Sequence, residues 1–335
     1  MRGLPRTADR ITIKGAGTTR LQTITICAAT MLIAAGCGAG GLQGSIAEDF
    51  ELSSPQGTVR LTVGSKAFTE QRILGEITGQ ALEAAGAEVI DEIALGDTEE
   101  VRVALVSGAI DMYWEYTGTG WLVHLAEPEQ ITDSEELYSS VSESDLAQNG
   151  IEWLKPAPAN NTYAIAVRKG AVGDLGVEAI SELASLTEDR PEEATVCVGA
   201  EFNDRADGLP GMQRHYGFEF APDRVFEISP GTVYGAVDKG KTCNFGSVFM
   251  TNGRIGSLDL QLLDDDESFF AAYNPALTMR EETLRAHPEL EALFASISEE
   301  LDTETLRELS AAVEVEGSQP ADVAERWLEE NGFTG

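Results

Sequence analysis

The spacing of hydrophobic residues after position 57 switches repeatedly between the alternation of a β-strand and the three-to-four spacing of a helix. The first part of this pattern predicts, in order, a strand at 58–65, a helix at 69–86, a strand at 87–95, a helix at 97–108 and a strand at 110–116. Thr69 is the predicted N-cap of the first helix. Asp97 and Glu100 match a capping box, and Gly108 is placed to end that second helix. Strands alternating with helices predict a parallel sheet covered by helices.

A second set of alternating elements begins near Tyr163. Strands are predicted at 162–169, 193–199, 224–228 and 242–250, with helices between them at 178–186, 207–217 and 231–240. Beyond position 265 the pattern is mostly helical. The chain is therefore predicted to form two α/β lobes and a helical C-terminal region.

The N-terminal segment differs in composition from the rest of the chain. It is rich in basic residues, and the uncharged run "LQTITICAATMLIAAG" (21–36) then precedes Cys37. A run this short is typical of a signal peptide, and small residues before a cysteine resemble a bacterial lipoprotein signal. We predict a signal peptide at 1–36, a lipid on Cys37, a flexible tether at 37–58, and a location on the extracytoplasmic face of the cell membrane. The alternative is an ordinary cleavable signal with an incidental cysteine.

The chain is strongly acidic, with 57 Asp and Glu against 23 Lys and Arg residues and a net charge of −34. Nucleic-acid binding is therefore not expected, because phosphate contacts need clusters of Lys and Arg. Its 335 residues, 42% of them hydrophobic, suffice for a core in more than one lobe.

Two cysteines, Cys197 and Cys243, would remain after removal of the leader and lipidation of Cys37. An even pair in an oxidising compartment favours a disulfide, which would stabilise the fold by about 4 kcal/mol on a chain-entropy model. The alternative is two free buried thiols. Two cysteines without a histidine partner are too few for a metal site.

The segment "GAVDKGKT" (235–242) matches the letters of a phosphate-binding loop, which requires a strand before it and a helix after it. Here a predicted helix precedes and a predicted strand follows, so we interpret Gly240 as a helix cap. The three histidines (His124, His215 and His287) are scattered, and no nucleophile, base and oxyanion site can be assembled. The sequence predicts neither an enzyme nor a cofactor.

Ligands of open parallel sheets bind beyond the carboxyl ends of the strands. The loops at those ends are predicted at 64–70, 115–120, 199–209 and 247–254. In "IDMYWEYTGTGW" (110–121), strand alternation places Tyr116 at the open end, where its ring can face a cleft. Aromatic loops with few charges suit a small zwitterion, because ring faces attract a quaternary ammonium and Lys, Arg or hydroxyl groups bind a carboxylate.

Five segments, in this order, resemble the substrate-binding proteins of ABC importers for osmoprotectants such as glycine betaine, choline and carnitine. They are "VGSKAFTEQRILGEI", "GDTEEVRVALVSGAIDMYWEYTGTG", "PAPANNTYAIAVRK", "EFNDRADGLPGMQRHYGFEF" and "MTNGRI". The resemblance implies a type II periplasmic-binding-protein fold, with lobe one at 59–159 plus 254–335 and lobe two at 160–253. It also implies that the closed form docks on a membrane permease, whose separate ATPase drives transport.

The resemblance further implies the residues of the site. The walls of an aromatic cage would be Tyr116, Tyr163, Tyr234 and Phe249, the last standing where relatives have tyrosine. The carboxylate end of the ligand would meet Lys66, Thr119 and Arg205. From the residues alone, Lys66 could equally be a rim charge, Arg205 half of an internal ion pair, and the tyrosines core residues.

The predicted function is therefore a lipid-anchored binding protein of an ABC importer that captures a quaternary-ammonium osmoprotectant of the glycine betaine type. Lys66 and Arg205 favour a ligand with a carboxylate over choline. One alternative is a sensory domain that binds a related small molecule without a role in transport. An enzyme built on a binding-protein scaffold is a further alternative, but the sequence offers no catalytic constellation for it.

Overall fold

The computed structural model describes residues 50, 52–54, 57–128 and 130–335. The predicted signal peptide, Cys37 and most of the predicted tether lie outside these residues. Within the described ranges, no helix is long and apolar enough to cross a membrane.

The strands of the described chain form two five-stranded sheets and a small hairpin. They are β1 (Ser53–Ser54), β2 (Gly57–Thr58), β3 (Arg60–Lys66), β4 (Glu88–Gly96), β5 (Met112–Tyr116), β6 (Ile151–Trp153), β7 (Tyr163–Arg168), β8 (Val196–Val198), β9 (Val225–Glu227), β10 (Phe245–Phe249), β11 (Leu260–Leu262) and β12 (Pro275–Arg280). The first sheet has the order β4-β3-β5-β12-β6, and the second has the order β11-β7-β10-β8-β9.

Both sheets are mixed, although the sequence predicted parallel pairing. In the first sheet β3 runs parallel to β4 and β5, as predicted, whereas β12 runs antiparallel to β5 and β6. In the second, β8 is parallel to β9 and β10, and β7 is antiparallel to β10 and β11. The prediction of a mostly helical chain after 265 was wrong for β12, because most of this strand is buried and therefore lacks the alternation of a half-exposed strand.

Fourteen α-helices connect or cover the strands of the described chain. They are α1 (Thr69–Ala84), α2 (Thr98–Ser107), α3 (Thr117–Thr119), α4 (Ser134–Asn149), α5 (Val172–Leu175), α6 (Leu183–Asp189), α7 (Ala200–Asp204), α8 (Leu209–Tyr216), α9 (Pro230–Lys239), α10 (Arg254–Ser257), α11 (Glu281–Ala286), α12 (Glu289–Glu299), α13 (Thr303–Glu314) and α14 (Pro320–Glu330). A π-helical turn at Gly120–His124 continues α3.

Several predicted helix ends are confirmed. The Asp97–Glu100 capping box is present at the start of α2, and Gly108 ends that helix in the left-handed region (φ 78°). Gly240 ends α9 in the same way (φ 58°), so the letters of a phosphate-binding loop cover the last residues of a helix and the turn that leads to a strand. The prediction of Thr69 as an N-cap was wrong, because Phe68 occupies that position and α1 begins at Thr69.

The chain crosses between the sheets twice, after β6 and before β12. The strand β11 pairs with β7 in the second sheet, although the family resemblance implied that residues 254–335 belong to lobe one. The predicted disulfide between Cys197 and Cys243 is present, with Cα atoms 5.7 Å apart. It ties β8 to the segment before β10, and both of these strands lead into loops that reach the candidate site.

Candidate functional site

A cavity of about 410 Å³ is lined by residues attached to both sheets. Three of the four loops predicted at strand ends contribute to its walls, namely 64–70, 199–209 and 247–254. The N-terminal half of α9 and the C-terminal half of α13 also contribute, with Tyr234 and Glu314. The fourth predicted loop, 115–120, does not line the cavity.

Aromatic rings form one continuous side of this cavity. Phe249 stacks on Phe68 with ring centroids 5.4 Å apart and tilts against Tyr163 at 5.0 Å. The ring of Phe202 also packs against Tyr163, with ring centroids 4.9 Å apart. Tyr163 and Phe249 are neighbours because β7 and β10 pair antiparallel in a register that sets these two residues opposite each other. Two predicted cage residues therefore meet at one end of two inner strands of the second sheet.

Phe68 and Phe202 are cavity residues that the sequence-based site did not include. Both lie in loops that were selected as strand ends, which was the available signal. Tyr116, which was predicted to face the cleft, instead stacks on Phe68 at 6.3 Å and does not itself line the cavity. The whole Tyr116 residue is 4% exposed.

The remaining predicted cage residue, Tyr234, lines the cavity from α9. Its hydroxyl oxygen accepts a hydrogen bond from the backbone N–H of Phe249 (3.0 Å), which joins two predicted cage residues. The guanidinium of Arg254 lies 5.8 Å from the centre of the Tyr234 ring. A cation of the protein therefore already contacts this ring.

Lys66 lines the cavity, but a buried carboxylate engages its ammonium group. Its Nζ donates to Glu115 Oε1 at 2.6 Å, and the Lys66 side chain is 4% exposed. The other Glu115 oxygen lies 2.7 Å from His124 Nε2 and accepts from the Tyr113 hydroxyl at 2.8 Å. Burial alone would raise the pKa of Glu115, but the charge of Lys66 and the hydrogen bond with His124 hold that pKa well below its usual range.

Arg205 is also paired within the protein. Its guanidinium donates to Asp207 through Nε (2.9 Å) and Nη2 (2.5 Å), and the Tyr273 hydroxyl donates to the same carboxylate. Burial opposes ionisation of Asp207, but its hydrogen bond with Arg205 lowers the pKa of that carboxyl. Arg205 lies 5.8 Å from the ring of Tyr163 and does not line the cavity.

Thr119, the third predicted carboxylate ligand, is 3% exposed and does not line the cavity either. The neighbouring glycines are packed inside the lobe. A Cβ added to Gly118 would lie 2.8 Å from the Tyr273 ring, and one added to Gly120 would lie 2.5 Å from Trp153. These glycines permit close packing at this point and do not open the loop to a ligand.

A carboxylate that the sequence analysis missed, Glu70, faces the cavity from the first turn of α1. It accepts hydrogen bonds from the Tyr116 hydroxyl (2.6 Å), from Asn161 Nδ2 (2.8 Å) and from the Thr251 hydroxyl. Burial raises the pKa of Glu70; these hydrogen bonds oppose the shift, and the charge of Glu314 adds to it. The sequence could have indicated Glu70 through its place in the predicted loop 64–70. The helical spacing of hydrophobic residues, however, gives no information on which side chains contact it.

The structure has two mixed sheets with helices, and residues from both parts line a cavity with aromatic walls. This architecture is typical of a protein that binds a small ligand. The chain matches, over residues 59–330, the family described as the substrate binding domain of ABC-type glycine betaine transport systems, and it belongs to that family. This confirms the predicted two-lobed α/β fold and the predicted family. The family and the two relatives described next are substrate-binding proteins and not enzymes, in agreement with the prediction.

Individual relatives agree with this assignment. The chain is 37% identical, over 81% of its length and 88% of the relative, to a glycine-betaine-binding protein of Pseudomonas aeruginosa. It is 34% identical to the glycine betaine-binding protein YehZ of Escherichia coli, over 81% of its length and 90% of YehZ. The solved structure of apo YehZ superposes with a TM-score of 0.63 and covers 82% of this chain and 99% of YehZ, at 32% identity.

Proposed function

We propose that this chain is the extracytoplasmic, lipid-anchored substrate-binding protein of an ABC importer and captures a quaternary-ammonium osmoprotectant of the glycine betaine type. The observation that supports this proposal is the wall formed by Phe68, Tyr163 and Phe249. A quaternary ammonium cannot donate a hydrogen bond, so ring faces are its natural partners, each worth about 0.5–2 kcal/mol. The cavity of about 410 Å³ has room for a molecule of this size.

In this proposal the lipid is carried by Cys37, and the loaded protein docks on a membrane permease. Four of the predicted residues contribute directly to the site because they line the cavity: Tyr163, Tyr234, Phe249 and Lys66. Three other predicted residues do not line the cavity and contact the ligand only if the lobes rearrange around it: Tyr116, Thr119 and Arg205. Lys66 shares its charge between Glu115 and the ligand carboxylate.

The test is calorimetric titration of the mature protein with glycine betaine, proline betaine, carnitine and choline. We expect at least one of these ligands to bind. Phe249→Ala should weaken that ligand at least about tenfold, because it removes one ring face, whereas Phe249→Tyr should retain the affinity. Phe226→Ala removes a partly exposed ring outside the cavity and serves as the matched control.

Two outcomes would contradict the proposal. One is a wild-type protein that binds no member of the panel. The other is a Phe249→Ala variant that remains folded and binds as tightly as the Phe226→Ala control, since the ring wall would then have no part in recognition.

A further inference from the structure

Glu70 is a buried acid in the cavity wall whose hydrogen-bond partners are all neutral. Glu70 is 4% exposed. Its carboxylate accepts hydrogen bonds from a phenol (Tyr116), an amide (Asn161) and an alcohol (Thr251). Among the residues that the structure describes, no Lys, Arg or His forms an ion pair with it. A carboxylate can accept about four hydrogen bonds, so one further position remains for another group.

The charged and titratable groups around Glu70 do not supply the missing positive charge. Tyr116 approaches from β5 and Tyr234 from α9, and the charge of Glu314 acts on it from α13. Arg254 lies 3.8 Å from the Glu314 carboxylate. Lys66, the other cation of the cavity wall, is bound to Glu115. Each cation that lines the cavity is thus already paired with a carboxylate other than Glu70.

Two further acceptors in the same wall lack a partner. Asn161 Oδ1 and Glu314 Oε2 are buried and accept no hydrogen bond from any described residue. Together with Glu70 they form an acceptor side of the cavity, whose aromatic side is formed by Phe68, Tyr163 and Phe249. The methyl groups of a quaternary ammonium carry positive charge on C–H bonds, which interact favourably with both kinds of surface.

We propose that Glu70 is the counter-ion of the ligand's quaternary ammonium and completes the aromatic wall with a negative charge. This inference rests on the proposed function and names the residue that compensates the ligand's charge. A lone buried carboxylate is costly, and the ligand removes that cost when it brings the opposite charge. The three neutral donors then serve to orient the carboxylate toward the cavity.

Binding should therefore be coupled to loss of a proton from Glu70. In the ligand-free protein burial raises the pKa of this carboxyl, and a neighbouring cation would lower it again. Between these two pKa values the ligand binds only after Glu70 has ionised, so its affinity falls by up to about tenfold for each pH unit below the ligand-free pKa. Choline, which has no group titrating in this range, reports this coupling without interference.

The experiment measures affinity and proton release by calorimetry with choline and with glycine betaine, from about pH 4.5 to about pH 8, in buffers of different ionisation enthalpy. The wild-type protein should release up to one proton for each ligand bound at the acidic end and show weaker binding there. Glu70→Gln should bind at least about tenfold more weakly near pH 8 and lose the pH dependence. Glu83→Gln, the same change at an exposed position of α1, should behave as the wild type.

The inference is overturned if the wild-type protein binds a ligand with constant affinity and no proton exchange, a result that needs no variant. It is also overturned if folded Glu70→Gln matches Glu83→Gln in affinity and in pH dependence. If neither ligand nor any other quaternary amine binds the wild type, the proposed function fails and this inference fails with it. Ligand binding without a role for Glu70 rejects the inference alone.

Discussion

Glu70 and Glu115 are two buried carboxylates whose surroundings shift their pKa values in opposite directions. Both contact Tyr116, whose hydroxyl donates to Glu70 at 2.6 Å and whose backbone N–H donates to Glu115 at 2.7 Å. Glu115 has Lys66 as an ion-pair partner, and its pKa is lowered. Glu70 has only neutral donors, and its pKa is raised. The supply of a cation, and not the degree of burial, separates the two sites.

The difference indicates two uses of a buried acid. The charge of Glu115 is compensated by Lys66 within the protein, so this residue fixes Lys66 and the end of β5. The charge of Glu70 is not compensated until something enters the cavity. A glutamate on β5 therefore stabilises the fold, whereas a glutamate on the neighbouring helix α1 remains available to form an ion pair with a ligand.

Removal of the compensated acid should have the largest effect. Glu115→Gln leaves the Lys66 ammonium buried without its counter-charge, and we expect it to lower the free energy of unfolding by about 3–5 kcal/mol. Because the folded pKa of Glu115 lies below its ordinary value of 4.5, its stabilisation is present above that pH and is lost as the pH falls. Urea denaturation at several pH values measures both effects.

The double variant Lys66→Met, Glu115→Gln is the matched control for this prediction. It removes both charges, and it should recover much of the lost stability. A loss below about 1 kcal/mol in the single variant would show that the pair is solvated, and the contrast with Glu70 would then disappear.

The family resemblance named three residues that the structure places at strand ends and in the cavity wall, whereas strand alternation alone wrongly placed Tyr116 there. Lys66 ends β3, Phe249 ends β10 and Tyr163 begins the antiparallel β7, and all three line the cavity. Which of Phe68 and Tyr116 lines the cavity depends on how α1 packs against β5. That packing involves residues far apart in the chain, and a pattern of local hydrophobicity carries no information about it.

The partners of the charged residues could not be predicted for the same reason. Lys66 and Glu115 meet because β3 and β5 are adjacent in the sheet, and Arg205 turns to Asp207 within its own loop. Both cations were assigned to a ligand carboxylate through the family resemblance, although the residues alone left open an internal ion pair for Arg205, which the structure shows. Residue type indicates which chemistry is available, whereas the structure shows which charges are already compensated.

Tyr116→Phe should have an intermediate effect, confined to the Glu70 side. It removes the hydroxyl that donates to Glu70 and keeps both the ring and the N–H that donates to Glu115, and we expect a loss of about 1–2 kcal/mol in stability. The pKa of Glu70 should rise further, which moves the pH dependence of ligand binding upward. Tyr113→Phe, which removes a donor to Glu115 instead (2.8 Å), is the control and should leave that pH dependence in place. An identical shift in both variants would mean that the two carboxylates do not act separately.

The smallest expected effect has the opposite sign. Glu70→Gln keeps an oxygen that accepts from Tyr116 and Asn161 but removes the charge, so the ligand-free variant should be more stable than the wild type by about 1 kcal/mol near pH 7. The sign follows from the raised pKa: the folded state holds the proton more tightly, so wild-type stability decreases as the pH rises from the ordinary value of 4.5 through the folded pKa. Thermal denaturation across this range should show that decrease in the wild type and a smaller one in the variant. A variant less stable than the wild type at all pH values would mean that the Glu70 charge stabilises the ligand-free protein. A counter-ion for the ligand requires the opposite result, in which neutralising Glu70 makes the protein more stable and weakens its binding of the ligand.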